Sequence, residues 1–241
     1  MDTKVKGIVL NCKDYKESDK LLSILSLELG KILVVAKGVK KAKSKFKAYA
    51  QPFCFANFEL TNSKNGAYVL TGVNEIENFY SLTSDINKFE YAFCILEIAE
   101  KICKENVLYP RLFLEILKCL QALINEKVNE KTVLIKFILN VLNFEGVNIN
   151  LNKCTSCKSA LVGDVYLDIQ TCETLCTACK NINCVKLEKS TFSTLKIISQ
   201  SNYNLLQTLK LKENFLASCL DIILKTLMNK FEIKLKSILI F

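Results

Sequence analysis

Residues 4–38 read KVKGIVLNCKDYKESDKLLSILSLELGKILVVAKG, and they decide the first third of the molecule. Residues 4–12 alternate, with Val5, Gly7 and Val9 on one face and Ile8, Leu10 and Cys12 on the other. A polar turn, Lys13 to Asp19, follows. Residues 20–27 and 31–38 are β-rich runs broken at Leu29-Gly30, a hairpin signal. Further on, residues 52–60 (PFCFANFEL) alternate aromatics at Phe53, Phe55 and, after a shift, Phe58. Asn62 to Gly66 is a strong turn signal, and residues 67–76 supply a fifth strand. Five short strands in succession predict a small closed barrel such as an OB-fold; an SH3-like barrel has the same pattern.

From Ser84 the apolar period becomes 3.6. Asp85 or Ser84 can cap a helix whose stripe is Phe89, Ala92, Phe93, Leu96, Ala99 and Ile102-Cys103. Pro110 suits the first turn of the next helix. A third is expected over residues 131–144, stopping at Gly146. Residues 151–186 break the pattern. Helix returns with Ser190 as N-cap, and a last helix is expected over residues 213–238. The fold class is therefore α+β. The expected division is a five-stranded barrel (1–80), a helical domain in two parts (81–150 and 187–241) and a cysteine-rich insertion (151–186).

That insertion holds six of the twelve cysteines. Cys154-Thr-Ser-Cys157 and Cys176-Thr-Ala-Cys179 form the paired CxxC spacing of a structural tetrathiolate zinc site. A two-residue gap in a tight turn aims both sulfurs at one ion, and two such turns complete a tetrahedron with no open position for water. Zn2+ there is architectural. Cys172 and Cys184 lie close by, and Cys172 is an alternative to Cys176 as ligand. Six reduced thiols without metal, or a redox CxxC pair, are the competing readings. Cys12, Cys54, Cys94, Cys103, Cys119 and Cys219 have apolar neighbours and read as small buried hydrophobes.

The composition excludes much chemistry. The chain has no histidine, which removes Ser-His-Asp triads, Cys-His pairs, HExxH zinc sites and His-Cys deaminase centres. Its seven glycines form neither GxxxxGK[ST] nor GxGxxG. No apolar run is long enough to span a membrane, and no signal-peptide pattern follows Met1, so a cytoplasmic protein is expected. Net charge is +9, and residues 1–50 carry +7 of it. A field confined to one fifth of the chain attracts polyanions. Its centre is Lys37-Gly38-Val39-Lys40-Lys41-Ala42-Lys43-Ser44-Lys45-Phe46-Lys47, preceded by Lys31 and followed by Tyr49. As an extended segment it would present Lys41, Lys43, Lys45 and Lys47 on one side as a comb for a phosphate backbone, with Phe46 or Tyr49 stacking on a base. A merely solvated loop is the plain alternative, and Phe46 can equally belong to the barrel core. Lysine lacks the flat fork of arginine, so backbone binding without sequence preference is expected.

These residues resemble the RecO family of bacterial recombination mediators over essentially the whole chain. The resemblance rests on the strand at residues 5–12 followed by Asp14-Tyr15-Lys16-Glu17-Ser18-Asp19-Lys20-Leu21. It continues through Gly30-Lys31, Ala36-Lys37-Gly38-Val39-Lys40-Lys41, Ser44-Lys45, Gln51-Pro52-Phe53 and the paired knuckles. It implies an N-terminal OB-fold, a helical domain with an inserted zinc module, and binding and annealing of single- and double-stranded DNA. It implies, as partners, RecR, the acidic, hydrophobic C-terminal tail of single-stranded-DNA-binding protein and, indirectly, RecA, in the cytoplasm at the nucleoid. It places Lys37, Lys40, Lys41, Lys43, Lys45 and Lys47 in the DNA-binding loop. One departure is Cys172-Glu173-Thr174-Leu175, where the family often has a Gly-Gly pair before the third cysteine. Other readings from the residues are an RNA-associated OB and zinc-ribbon protein, or a cysteine-based redox switch.

Overall fold

The computed structural model describes residues 2–62, 67–125, 127–147 and 149–237. Most of the turn expected at Asn62 to Gly66 lies outside them. The chain forms two compact units, one running to Ile124 and the other beginning at Asn125.

The first unit starts with β1 (Asp2–Tyr15), β2 (Asp19–Ser26), β3 (Gly30–Ala36), β4 (Cys54–Asn62) and β5 (Tyr68–Asn78). They close into a barrel in the order β1-β2-β3-β5-β4. Every pairing is antiparallel except β3 with β5, where Val34 and Val35 lie beside Tyr68 and Val69. This order and its one parallel pair fit the five-stranded OB-fold. Val5, Val9, Leu22, Ile24, Ile32, Val34, Phe58 and Leu60 fill the interior. The simple alternation of β1 is interrupted: Val9 pairs with Ile24 and Asn11 with Ser23, so Leu10 is a bulge. Ile8 and Leu10 are fully buried as well, because β1 is covered on its outer face.

That cover is helical. After a 3₁₀ turn (Phe79–Ser84), α1 (Ile86–Ile102) starts at Asp85, whose carboxylate accepts from the Asn87 and Lys88 N–H groups. Then α2 (Pro110–Ile124) opens on its proline. Phe53 meets Phe89 edge-on at 6.0 Å, and Phe55 meets Phe113 at 5.9 Å. Gly30, at φ +72°, makes the β2–β3 turn where a Cβ would stand 2.0 Å from the Val107 carbonyl oxygen. Only glycine satisfies both the backbone angle and that close approach.

The second unit contains α3 (Glu130–Phe144), α4 (Lys189–Gln200), α5 (Tyr203–Leu206) and α6 (Glu213–Phe231). Asn129 caps α3, and Gly146, at φ +78°, follows its end. α3 is the central helix, buried on nearly every side from Thr132 to Leu142, and both α4 and α6 pack on it. Two helix boundaries differ from expectation. Ser190 lies inside the first turn of α4; Glu188 holds the cap position and makes no side-chain cap bond. α6 stops at Phe231 and does not reach residue 238, because Glu232 turns left-handed (φ 52°) and the Ile233 N–H closes back on the Met228 carbonyl at 3.1 Å. This is a Schellman-type stop without its usual glycine. Between α3 and α4 the chain forms a three-stranded sheet in the order β7 (Glu173–Cys176), β6 (Val165–Asp168), β8 (Cys184–Leu187). Among the described residues no helix is long and apolar enough to cross a membrane.

Candidate nucleic-acid interface and metal centre

The lysine loop is not an extended strand. Residues 37–50 wind through successive turns, with N–H groups of Lys41, Ser44, Lys47 and Tyr49 each bonded to the carbonyl three residues back. The comb with alternating sides is therefore corrected. Apolar anchors explain the winding. Val39 and Ala50 are buried in the barrel core, and Phe46 and Tyr49 pack against it from partly buried positions. Phe46 is thus part of the barrel wall, with Lys45 Nζ 5.0 Å from its ring centre. Burying these four residues points the charges outward: Lys37, Lys40, Lys41, Lys43, Lys45 and Lys47 are all exposed.

Lys31 does not join them. It sits on β3, half-buried, and its ammonium donates to the Glu100 carbonyl at 2.7 Å. The Asn106 N–H bonds the Lys31 carbonyl at 2.9 Å. It fastens the end of α1 and the following loop to the barrel.

The loop is instead clipped to the β1–β2 hairpin. The Gly38 N–H donates to Asp19 Oδ1 at 2.7 Å, the Lys40 N–H to the Ser18 carbonyl at 2.9 Å, and Lys40 Nζ pairs with Asp14 at 2.9 Å. The Lys40 ammonium holds the Asp14 carboxyl below the usual carboxylate range, assisted by Lys20. The hairpin tip therefore places Lys13, Tyr15 and Lys16, all exposed, beside the lysine loop. Sequence reading treated this tip as a plain turn. The signal was the pair of carboxylates: Asp19 can accept from another segment's backbone N–H, and Asp14 can pair with a lysine ammonium.

In the second unit, the structure brings together the four cysteines of the paired motif. One sulfur from each of Cys154, Cys157, Cys176 and Cys179 lies within 4.8 Å of the others. A tetrahedron with metal–sulfur bonds of about 2.3 Å puts sulfurs about 3.8 Å apart, and Cys157 Sγ is 3.8 Å from Cys176 Sγ. The residues fit a tetrathiolate ion. Each knuckle is a tight turn: the Lys158 N–H returns to the Cys154 carbonyl at 3.0 Å, and the Lys180 N–H to the Cys176 carbonyl at 3.1 Å. Lys158 takes φ +62°, a position that favours glycine.

The thiols are electrostatically unequal. Burial opposes ionisation of Cys154, but N–H groups of Cys157, Cys176 and Ser156 outweigh it and hold its thiol below the usual range. Bonds from the Ser159 hydroxyl and N–H take Cys157 down to about 6. Cys179 has help from the Ser156 hydroxyl, yet its bonds to Cys157 and Cys176 push it up to about 11. Four adjacent thiolates need a cation to coexist. Cys172 and Cys184 stand outside the cluster; Cys172 is buried in the β6–β7 turn, and Cys184 Sγ lies 3.3 Å from Asn181 Oδ1. Of the other six cysteines, all but half-buried Cys12 are buried, and none of the twelve forms a disulfide.

Asp168 organises the second knuckle from below. Its buried carboxylate accepts from Gln170 and Thr171 N–H groups at 2.9 and 3.1 Å and from Asn181 Nδ2 at 2.8 Å. The Asn181 amide and these N–H groups hold its carboxyl below the usual range against the cost of burial. A lowered folded-state value stabilises above the unfolded value of about 3.9 and loses its effect as pH falls through the folded one. Asp168→Asn is expected to destabilise the second unit by about 1–3 kcal/mol near neutral pH. The new amide confronts the Asn181 amide, and flipping Asn181 would break its bond to the Asn183 N–H. The difference from the unmodified chain should shrink below about pH 4. Urea unfolding at several pH values reads both effects.

Two family models match this chain: Recombination protein O N terminal over residues 1–79, and Recombination protein O C terminal over residues 83–238. Similar curated proteins include one from Clostridium perfringens, 27% identical over 86% of this chain and 84% of its own length. One from Clostridium novyi is 30% identical over 83% and 77%. One from Caldicellulosiruptor saccharolyticus is 27% identical over 95% and 91%. Each of the three is named DNA repair protein RecO.

Proposed function

Because the chain belongs to the RecO family of DNA repair proteins, we propose that it is a non-enzymatic recombination mediator. It binds single- and double-stranded DNA, anneals complementary strands and, together with RecR, helps load RecA onto DNA coated with single-stranded-DNA-binding protein. The observation that carries this reading is the set of six exposed lysines mounted on an ordered barrel loop. Annealing needs two phosphate backbones neutralised and held close. Ammonium groups supply this by counterion release, and no covalent step is required.

In this reading the OB-fold of residues 1–80 is the DNA-binding domain, with Lys37, Lys40, Lys41, Lys43, Lys45 and Lys47 as the contacts. Lys31, engaged with Glu100, is left out of the set. Residues 81–150 and 187–241 form the helical domain. Residues 151–186 form a structural zinc module with Cys154, Cys157, Cys176 and Cys179 as ligands. Thiolate donors and a closed tetrahedron favour zinc, and such a centre supplies folding energy and no reactive position. The protein works in the cytoplasm, at the nucleoid, and contacts the C-terminal tail of single-stranded-DNA-binding protein.

The test is annealing of complementary oligonucleotides, each coated with that protein. Adding this chain should raise the annealing rate by on the order of ten-fold or more at low salt and lose the effect as salt increases. No acceleration, or preferential binding of structured RNA over DNA in competition, would reject the assignment.

A further inference from the structure

Tyr15 stands at the tip of the β1–β2 hairpin, 37% accessible. Among the described residues it is the one aromatic side chain classed with the exposed surface; every other tyrosine or phenylalanine is buried or partly so. Phe46 and Tyr49, the aromatics of the lysine loop, are occupied in the barrel wall. An exposed phenol ring therefore exists at one place, and that place is fastened to the lysine loop through Asp14, Ser18 and Asp19. Lys16 Nζ lies 5.4 Å from the ring centre. The tip itself is electrically balanced, with Lys13 and Lys16 against Asp14 and Glu17. Its contribution to a polyanion site is thus a flat apolar face beside a strong positive field, not additional charge.

We propose that Tyr15 stacks on an unpaired nucleobase of a strand held by the lysine loop, and so selects single-stranded over double-stranded DNA. This rests on the DNA-binding reading above. The physical basis is general: every base offers a π-face, stacking is indifferent to sequence, and in a duplex both faces of a base are already covered. Lysine charges set the salt dependence, while the ring adds a salt-independent increment confined to unpaired strands.

The experiment exploits the absence of tryptophan from the chain. Tyr15→Trp introduces a single tryptophan at the tip, whose emission can be excited apart from that of the remaining tyrosines. A thymidine oligonucleotide should quench its emission saturably, at the midpoint found by anisotropy of the labelled strand, and a duplex of equal length should not. In parallel, Tyr15→Ala should weaken binding to the single strand by about ten-fold or more, leave duplex affinity within about two-fold and leave the salt slope unchanged. Tyr15→Phe should match the parent. Tyr15 lies opposite Asp19 in the β1–β2 register, and circular dichroism checks that the barrel persists. Equal losses on both DNA forms, no loss at all, or tryptophan emission indifferent to bound single strand would overturn the proposal. Failure of the parent chain to bind either form would defeat the DNA-binding reading itself, and this inference with it.

Discussion

Replacing Cys154 and Cys157 together with serine is expected to abolish stoichiometric zinc binding and to unfold residues 151–186. On the side that carries the four cysteines the module has few other buried contacts. Its strands are four residues each, and its buried cluster is Cys154, Tyr166 and Leu175 with a few partly covered neighbours. Metal binding in small tetrathiolate modules is itself folding free energy, about 10–16 kcal/mol in isolated fingers. That is comparable to the whole stability of a typical domain, about 5–15 kcal/mol. Elemental analysis of protein purified without chelator should therefore fall from one zinc per chain to none. Hydrogen exchange should show loss of amide protection in β6, β7 and β8 while β1–β5 stay protected. Cys172→Ser and Cys184→Ser should retain the metal. Zinc retained by the double variant, or undiminished protection, would reject the four-ligand assignment.

The second large effect concerns charge. Replacing Lys40, Lys41, Lys43 and Lys45 with alanine is expected to weaken DNA binding on the order of a hundred-fold near 50 mM salt and to flatten the dependence of log K on log salt by about 3. All four are exposed, and among the described residues only Lys40 of the four has a carboxylate partner, Asp14. The anchors Val39, Phe46, Tyr49 and Ala50 remain, so the loop keeps its seat on the barrel. Lys31→Ala is the control. Its ammonium faces the Glu100 carbonyl, so it should cost stability and leave the salt slope unchanged.

How much of this was legible in the sequence follows from how local each cause is. The five strands were readable because period-two alternation is a neighbour effect; the Asp85 cap and the Pro110 start were readable for the same reason. The clustering of Cys154, Cys157, Cys176 and Cys179 was readable because a CxxC turn is set by its own residues. The exclusion of Cys172 and Cys184 was not. It depends on register: Val165 pairs with Cys176 at one end of β6, and Asp168 pairs with Glu173 and Cys184 at the other. That separates the two ends by about 10 Å at about 3.3 Å per residue. The path of the lysine loop was hidden too, since its turns are imposed by four apolar residues reaching a distant core. So was the end of α6, where Glu232 takes a conformation its side chain does not advertise. The role of Lys31 depends on α1, some seventy residues away along the chain.

The most direct measurement is fluorescence anisotropy of a labelled oligodeoxynucleotide titrated with the unaltered protein from low to moderate salt. Grip by an ammonium-bearing barrel loop requires tight binding in dilute buffer and a linear fall of log K with log salt, losing about 0.7 per neutralised phosphate on a single strand. Absence of binding in dilute buffer, or an affinity that salt does not change, would contradict it.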